Sequence, residues 1–216
     1  MPMIEISGLS KKFGRTAVLD NLSLTVEPAT CVGIVGANGC GKSTLLSIIA
    51  GVLPHDSGEV KCNGAIGYIP QNNPLFDNLT VYDNLRLYYC DSRRNLKEDI
   101  HNGIIAEFGV DRYLRKTVRK LSGGMKKRLS IVCALSKDPD ILVMDEPGAS
   151  LDIICKEDIC QYMDRYRRQG KTIIIASHEE GELKMCTDMY LMNSGRLTAL
   201  SPLPSAKELM ERMRNV

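Results

Sequence analysis

The chain has 216 residues, of which 44% are hydrophobic and 25% are charged, a balance that is typical of a soluble globular protein. Its formal net charge is only +2, so composition gives no reason to expect direct nucleic-acid binding through bulk electrostatics. No stretch approaches the roughly 18 consecutive apolar residues of a membrane-spanning helix, and the start of the chain lacks the pattern of an export signal. We therefore expect a cytoplasmic protein that would reach the inner face of a membrane only through a partner.

The first seventy residues predict short strands around one glycine-rich turn and one helix. Apolar residues alternate over 4–6 and 22–26, and residues 31–35 form a candidate buried strand. Residues 42–50 carry a helical apolar pattern, and residues 58–70 predict further short strands.

The middle of the chain, about 72–120, predicts a mostly helical segment. Two polar pairs have the spacing of N-terminal capping residues: Thr80 with Asp83, and Asn95 with Glu98. The helix that starts at Asn95 is expected to continue to Gly109. The basic stretch 112–120 is interpreted as a solvent-exposed face.

Strands and helices alternate again after residue 120. The pattern predicts helices at 123–136, 152–168 and from near Ser205, a short helix after residue 177, and strands at 141–144, 172–176, 189–192 and 196–200. Because strands that alternate with helices usually pair in parallel, the predicted fold class is α/β, with a largely parallel sheet covered on both faces.

Eight cysteines are present, and none forms a Cys-x-x-Cys pair. Several lie within apolar runs, as Cys133 does in residues 131–134. Without an export signal, reduced thiols that pack as small hydrophobic groups are a better interpretation than disulfides or a metal site.

Residues 36–44, Gly-Ala-Asn-Gly-Cys-Gly-Lys-Ser-Thr, fit the phosphate-loop pattern between a strand and a helix. Glycines let successive backbone N–H groups converge on phosphate oxygens, and the helix start adds the positive end of its dipole. The pattern places Lys42 on the β- and γ-phosphates and Ser43 on Mg²⁺. The predicted nucleotide contacts in this loop are Gly36, Asn38, Gly39, Cys40, Gly41, Lys42, Ser43 and Thr44.

The thiol inside this loop leads to a separate hypothesis. The surroundings of Cys40 favour a reactive thiol, so its alkylation or oxidation would block ATP binding and bound ATP would protect it. An inert small residue that faces away from the nucleotide is the equally weighted alternative.

Residues 141–146 form a second motif, an apolar strand that ends in two adjacent acids. Neighbouring residues on a strand point to opposite faces, so Asp145 and Glu146 are expected to have different roles. Asp145 fits a magnesium partner, and Glu146 fits a group that orients and polarises attacking water. An apolar strand that ends in acids is common and by itself indicates little. The phosphate loop upstream makes a role in nucleotide chemistry a much stronger prediction.

Residues 121–125, Leu-Ser-Gly-Gly-Met, form the discriminating motif. A serine and two glycines at a helix start make a second anion site from exposed N–H groups. The simpler interpretation of Ser122 is a helix N-cap and nothing more. A chain with one nucleotide site has a use for two phosphate cradles if two copies pair and each completes the site of the other.

These motifs, in this order, make the chain resemble the nucleotide-binding domain of ATP-binding cassette (ABC) proteins over essentially its whole length. The resemblance implies a single ABC ATPase domain, 1–216, with a phosphate-loop NTPase core and a small antiparallel β lobe at about 1–71 and 121–216. A helical subdomain would be inserted at about 72–120.

The resemblance also implies roles for single residues. Phe13 would stack on adenine, Gln71 would link the core to the helical lobe beside Mg²⁺, and residues 151–152 would cross a dimer interface. His178 would contact the γ-phosphate. The implied catalytic residues are Glu146, His178 and Lys42; the implied magnesium site comprises Ser43, Gln71 and Asp145.

A mechanism follows from the resemblance. Two cassettes, identical or different, would close head-to-tail with ATP between the phosphate loop of one and Ser122, Gly123 and Gly124 of the other. ATP binding would close the pair, and hydrolysis would open it.

Three departures from the family pattern stand out. Met125 replaces a common glutamine, which puts polar contacts at that corner in doubt. Gly148 replaces a common threonine or serine, which is expected to loosen the interface loop. Only 29 positions separate Lys42 from Gln71, so the small β lobe is expected to be trimmed.

The leading functional hypothesis is the motor subunit of a membrane transporter whose spanning permease is a separate chain. Residues 72–94 resemble the docking region of such relatives, and residues 125–129 resemble relatives attached to exporters. The rival is a soluble ABC ATPase, such as an iron–sulfur assembly factor. A small phosphate-loop kinase leaves Ser122 and His178 unexplained. Substrate and direction of transport stay open.

Overall fold

The computed structural model describes residues 1–92, 94–149, 151–201 and 208. The helix predicted to start near Ser205 lies outside these residues. Within the described part of the chain, no helix combines the length and the apolar character needed to cross a bilayer.

The elements follow the predicted alternation of strands and helices. The strands are β1 (Ile4–Phe13), β2 (Thr16–Val26), β3 (Cys31–Val35), β4 (Ser57–Cys62), β5 (Ile66–Ile69), β6 (Ile141–Asp145), β7 (Thr172–Ala176), β8 (Asp188–Asn193) and β9 (Arg196–Ala199). The helices are α1 (Lys42–Ile49), α2 (Val81–Tyr89), α3 (Leu96–Asn102), α4 (Ile104–Glu107), α5 (Gly123–Leu135), α6 (Ile153–Arg168) and α7 (Glu180–Leu183). Two short 3₁₀ turns, Val110–Tyr113 and Val118–Lys120, precede α5.

A six-stranded sheet in the order β5-β6-β7-β3-β8-β9 forms the centre of the molecule. All its pairings are parallel except that of β8 with β9. A smaller antiparallel sheet in the order β2-β1-β4 packs beside it, with β4 the shortest of its three strands.

Hydrophobic side chains cover both faces of the large sheet. Along β7, Ile173 and Ile175 join the cluster that contains the helices of the middle segment and α6, whereas Ile174 and Ala176 join the cluster that contains α1 and the small sheet. Each isoleucine is fully buried, and burial of such a side chain contributes about 2 kcal/mol. The continuous apolar run of β7 is therefore explained by burial on both sides.

The capping pairs of the middle segment are confirmed. The Thr80 hydroxyl accepts a hydrogen bond from Asp83 N at 3.1 Å, and Asn95 Oδ1 accepts from Lys97 N at 2.9 Å. The basic side chains predicted to face solvent are exposed: Arg112, Arg115, Lys116, Arg119 and Lys120.

The single helix predicted from Asn95 to Gly109 is wrong, because the structure breaks it at Gly103. The carboxylate of Asp99 turns back over this glycine, and a Cβ at Gly103 would stand 2.0 Å from Asp99 Oδ1. Asp99 also accepts a hydrogen bond from the backbone N–H of Ile104. The carboxylate thus occupies the path of a continuous helix and starts α4 instead.

The carboxyl ends of β3, β6 and β7 meet at one edge of the large sheet, since β7 lies between the other two and all three are parallel. The loops that follow these strands carry the phosphate-loop motif, Glu146 and His178, and Asp145 is the last residue of β6. In an open α/β sheet, this edge is where ligands bind.

Candidate functional site

The loop between β3 and α1 can be built only with glycine at two positions. Gly36 has φ +157° and Gly41 has φ +114°. A Cβ at Gly36 would stand 2.3 Å from the carbonyl oxygen of Met192, and one at Gly41 would stand 2.9 Å from that of Val18. Helix α1 then starts at Lys42 with no acidic residue in its first turn. The loop therefore presents backbone N–H groups and a positive helix end together.

Lys42 lies under this loop rather than in solvent. Its side chain belongs to a residue only 6% exposed, and its Nζ donates hydrogen bonds to the carbonyl oxygens of Gly36 at 2.7 Å and Ala37 at 3.0 Å. These bonds hold the positive charge of Lys42 at the loop. A bound anion could accept hydrogen bonds from Nζ in place of these carbonyl oxygens.

Ser43 and Asp145 form a pair of oxygen donors beside Lys42. Asp145 is buried, and the Ser43 hydroxyl forms a hydrogen bond with its carboxylate. Burial raises the pKa of Asp145, and the Ser43 hydrogen bond only partly offsets this effect. A buried carboxylate next to a hydroxyl suits Mg²⁺, which prefers oxygen ligands. Among the described residues no cluster of three His, Cys, Asp or Glu residues could hold a metal.

Three side chains from separate loops meet at the end of β6. Gln71 Nε2 donates to Glu146 Oε2 at 2.9 Å, and His178 Nε2 lies 3.6 Å from Glu146 Oε1. The carboxylate is therefore held between an amide and an imidazole, with its side chain 22% exposed. A water molecule could reach such a group from solvent.

Glu146 points away from Asp145 for a reason other than the one expected. Strand alternation does not apply, because β6 ends at Asp145. Glu146 instead adopts φ +47°, and its N–H donates to the carbonyl oxygen of Ala176 at 2.8 Å. Such a conformation is unusual for a residue other than glycine and must be maintained by the surrounding structure.

The start of α5 lies on the surface. Ser122 and Gly123 are exposed, and the Ser122 hydroxyl accepts a hydrogen bond from Met125 N at 3.3 Å. This confirms the N-cap interpretation of Ser122. The first turn of α5 holds no acidic residue, so the helix start also keeps the positive character of an anion site.

Comparison with known proteins decides the family. A family model described as "ABC transporter" matches residues 19–149, more than half of the chain. The chain belongs to the ABC transporter family. Within that family it is an ATP-binding cassette.

Two of the similar proteins are ATP-binding components of exporters. The cassette is 34% identical over 215 residues to the Nod factor export ATP-binding protein I of Rhizobium etli, covering 92% of this chain and 68% of that protein. It is 30% identical over 217 residues to the lipopolysaccharide export system ATP-binding protein LptB of Escherichia coli, covering 92% of this chain and 90% of that protein.

Solved cassettes share the fold. One structure of an ATP-binding subunit of an ABC transporter has a TM-score of 0.88 at 24% identity, covering 98% of this chain and 99% of its own. The dimeric post-hydrolysis state of the cassette MJ0796, bound to ADP and Pi, has a TM-score of 0.83 at 24% identity, covering 90% of this chain and 96% of its own. The predicted ABC ATPase fold is therefore confirmed.

The cassette places the remaining predicted residues on separate elements. Phe13 ends β1 with its ring half-exposed; Asn38 and Gly39 are exposed in the phosphate loop, and Thr44 is partly buried in α1. Residues 151–152 precede α6, where the Asp152 carboxylate caps the helix by accepting from Cys155 N at 2.8 Å. The role of each residue stays a prediction.

The eight cysteines of the cassette are all free thiols, and all lie within the described residues. Four of them are buried: Cys31, Cys133, Cys155 and Cys186. The partly buried Cys40 packs against the cluster under the small sheet, and its sulfur lies 2.8 Å from where a Cβ of Gly36 would stand. This placement favours the inert alternative, although the protection hypothesis stays a prediction.

Gly148 was expected to loosen the interface loop, but the structure shows it closely packed. It is buried, and a Cβ at this position would stand 2.5 Å from Glu182 Oε1. The missing side chain therefore makes room for a buried carboxylate. Met125 packs its side chain against the larger hydrophobic cluster instead of making polar contacts.

Sequence reasoning missed two charged residues behind the site, Lys127 and Glu182. Lys127 is 4% exposed and Glu182 is 1% exposed. A signal was available for the lysine, because it lies four positions before the buried Ile131 and so shares its face of α5. Glu182 offers no comparable signal in its short helix α7.

Proposed function

We propose that this cassette hydrolyses Mg-ATP in a head-to-tail pair and thereby powers a transporter whose membrane-spanning permease is a separate chain. The observation that carries this proposal is the meeting of Gln71, Glu146 and His178 at the sheet edge that also bears the phosphate loop. A carboxylate flanked in this way fits a group that orients water toward a γ-phosphate.

The residues of the site then divide the work. The loop N–H groups and Lys42 bind the phosphates, while Ser43, Asp145 and Gln71 hold Mg²⁺. The ion, when bound, supplies Lewis-acid polarisation of the phosphate oxygens. Glu146 orients and polarises the attacking water, and His178 supports the γ-phosphate.

Phe13 offers a surface for the adenine ring. Its side chain is 50% exposed at the end of β1, and Lys11 Nζ lies 5.6 Å from the centre of its ring. An exposed aromatic face that already attracts a cation is suited to stack on a flat base.

The start of α5 serves as the second half-site. Ser122, Gly123 and Gly124 would contact the γ-phosphate of the ATP that is bound to the phosphate loop of the opposite cassette. The dimeric structure of the MJ0796 cassette supports a paired arrangement. Because each site is shared, residues from both copies complete it, and the pair is formed from identical or related cassettes.

A membrane partner has a surface to contact in the middle segment. Phe76, Leu79 and Tyr82 are 55%, 37% and 39% exposed. Asn84 fixes this segment, since its Nδ2 donates to the carbonyl oxygens of Phe76 at 3.2 Å and Thr80 at 3.0 Å. We assign this apolar surface to the permease, and with it the location of the cassette at the cytoplasmic face of a membrane. The helical subdomain at 72–120 would pass the motion to that partner.

Complementation between two inactive variants tests the shared site. Lys42→Ala removes the phosphate-loop cation, and Ser122→Glu places a negative charge at the second cradle. Each variant alone has two damaged sites per dimer, whereas a mixed dimer has one site that is intact and one that carries both changes. We expect ATP hydrolysis by the mixture to exceed the sum of the separate variants. A mixture without extra activity would contradict head-to-tail sharing, and wild-type protein without ATPase activity would contradict the proposed reaction itself.

A further inference from the structure

A lysine is buried directly behind the catalytic carboxylate. Lys127 lies on α5, five positions after Ser122, and is only 4% exposed. Its Nζ donates a hydrogen bond to the carbonyl oxygen of Pro70 at 3.2 Å. Lysine is almost never buried to this degree unless it is paired, so this cation has a partner or a task.

The partners of Lys127 are acidic groups of the site. Burial lowers the pKa of Lys127, and the nearby carboxylates of Asp145, Glu182 and Glu146 oppose this effect. These acids alone would place several negative charges in one buried region, which is costly. The lysine reduces their mutual repulsion.

Lys127 also bonds to the backbone next to Gln71, one of the two side chains that contact Glu146. Pro70 immediately precedes Gln71, whose amide donates to Glu146 at 2.9 Å. The position of the Gln71 side chain therefore depends on where the Pro70 carbonyl is held. A bond from Lys127 to that carbonyl ties α5 to the loop that bears Gln71.

Glu182 supports the opposite flank. It is 1% exposed and accepts a hydrogen bond from the Ser177 hydroxyl, and Ser177 immediately precedes His178. Its Oε1 has no hydrogen-bond partner among the described residues and lies against Gly148. Lys127 thus bonds to the residue before Gln71, and Glu182 bonds to the residue before His178. Gln71 and His178 are the two side chains that contact Glu146.

We propose that Lys127 is a positioning residue that holds Gln71 and Glu146 in register for hydrolysis and acts through these two residues. The role rests on the proposed ATPase function. It predicts a loss in the chemical step and little loss in the binding of nucleotide to the phosphate loop and Phe13, because these lie on other elements than Lys127.

The test compares three variants with the wild-type protein. Lys127→Met keeps the length and apolar stem but removes the charge, and Lys127→Arg keeps a charged donor. Lys126→Met is the matched control, since Lys126 is the neighbouring lysine on α5 and pairs with Asp77 at the surface at 2.8 Å. Steady-state kcat and KM for Mg-ATP, the binding of a fluorescent ATP analogue, and thermal unfolding are measured for each.

We expect Lys127→Met to lower kcat by about tenfold or more, with KM and analogue binding within roughly threefold of wild type. Lys127→Arg should restore most of kcat, and Lys126→Met should behave as wild type. The double variant with Gln71→Ala should lose no more than the worse single variant, since both changes disturb one unit.

Three outcomes would overturn the positioning role. They are a wild-type kcat in Lys127→Met, equal losses in Lys127→Met and Lys127→Arg, and losses that multiply in the double variant. If Lys127→Met does not fold, Lys127→Gln, which keeps a donor without charge, takes its place in the same comparison. Failure of the proposed ATPase function can be told apart from failure of the positioning role, because the wild-type protein itself would then show no ATP turnover.

Discussion

Glu146 is held in a backbone conformation that few residues other than glycine adopt, at φ +47°. The structure offsets this strain with the backbone bond to Ala176 and the side-chain contacts to Gln71 and His178. Strain that the surroundings maintain is common where a side chain must point at a reacting atom. The two acids of the motif therefore differ in environment as well as direction, since Asp145 is buried beside Ser43.

Replacement of Glu146 by glutamine should separate binding from hydrolysis. Glu146→Gln keeps the shape and the contact to Gln71 but removes the charge that polarises water. We expect ATP binding to persist, turnover to fall by roughly 100-fold or more, and an ATP-bound dimer to appear in size-exclusion chromatography. Glu180→Gln, on the surface of α7 beside Lys184, is the matched control. Normal turnover in Glu146→Gln would show that another group activates water.

The break between α3 and α4 shows how one side chain shapes two elements. Asp99 receives two hydrogen bonds from the Arg94 guanidinium at 2.7 and 2.6 Å and one from the Tyr89 hydroxyl at 2.7 Å. Burial by itself would raise the pKa of Asp99, but these hydrogen bonds outweigh it and hold the pKa below the usual 3.8. The helical segment is thus fastened by an ionised carboxylate.

Asp99→Asn should destabilise the cassette in a pH-dependent way. The pKa is lower in the folded than in the unfolded state, so the stabilisation is complete above the unfolded value and is lost as pH falls through the folded one. At pH 7 we expect the variant to lose about 2 kcal/mol of unfolding free energy relative to wild type. The same loss is expected at pH 5, and a smaller loss below pH 4.

Urea unfolding of wild type and Asp99→Asn across this range measures the difference. Asp91→Asn changes an exposed aspartate of the same segment and serves as the control. A difference that is the same at every pH would mean that the charge of Asp99 contributes nothing.

At the scale of the whole molecule, the cassette has two helix starts, on different elements, that are proposed to bind phosphate. The phosphate loop leads into α1 at the edge of the large sheet, and Ser122 opens α5 after the helical segment. Neither α1 nor α5 has an acidic residue in its first turn. In the proposed head-to-tail pair, both helix starts would have a phosphate to bind.

ATP turnover per subunit should therefore depend on protein concentration. In the proposed shared arrangement a monomer at high dilution holds an incomplete site, so specific activity should be low and should rise to a plateau as dimers form. A dilution series with excess Mg-ATP measures this directly, and Glu146→Gln protein supplies the blank. Constant specific activity across a wide series would argue for sites that are complete within one chain.

Local motifs could be predicted because their physics is local. The strands, the capping residues Thr80 and Asn95, and the phosphate loop each depend on a few neighbouring residues and their backbone preferences. The continuous helix from Asn95 to Gly109 was wrong because Asp99 responds to Arg94 and Tyr89, which the periodicity of the segment does not show.

The sequence by itself determined the family and the α/β fold and located the phosphate-loop and Ser122 motifs, since glycines and capping residues act through the backbone within a single loop. Only the tertiary structure decided which side chains surround Glu146 and that Lys127 is buried behind it. Gln71 and Glu146 lie 75 positions apart, and their contact arises from the pairing of β5 with β6. Contacts of this kind follow from how the sheet is assembled, which no local pattern encodes.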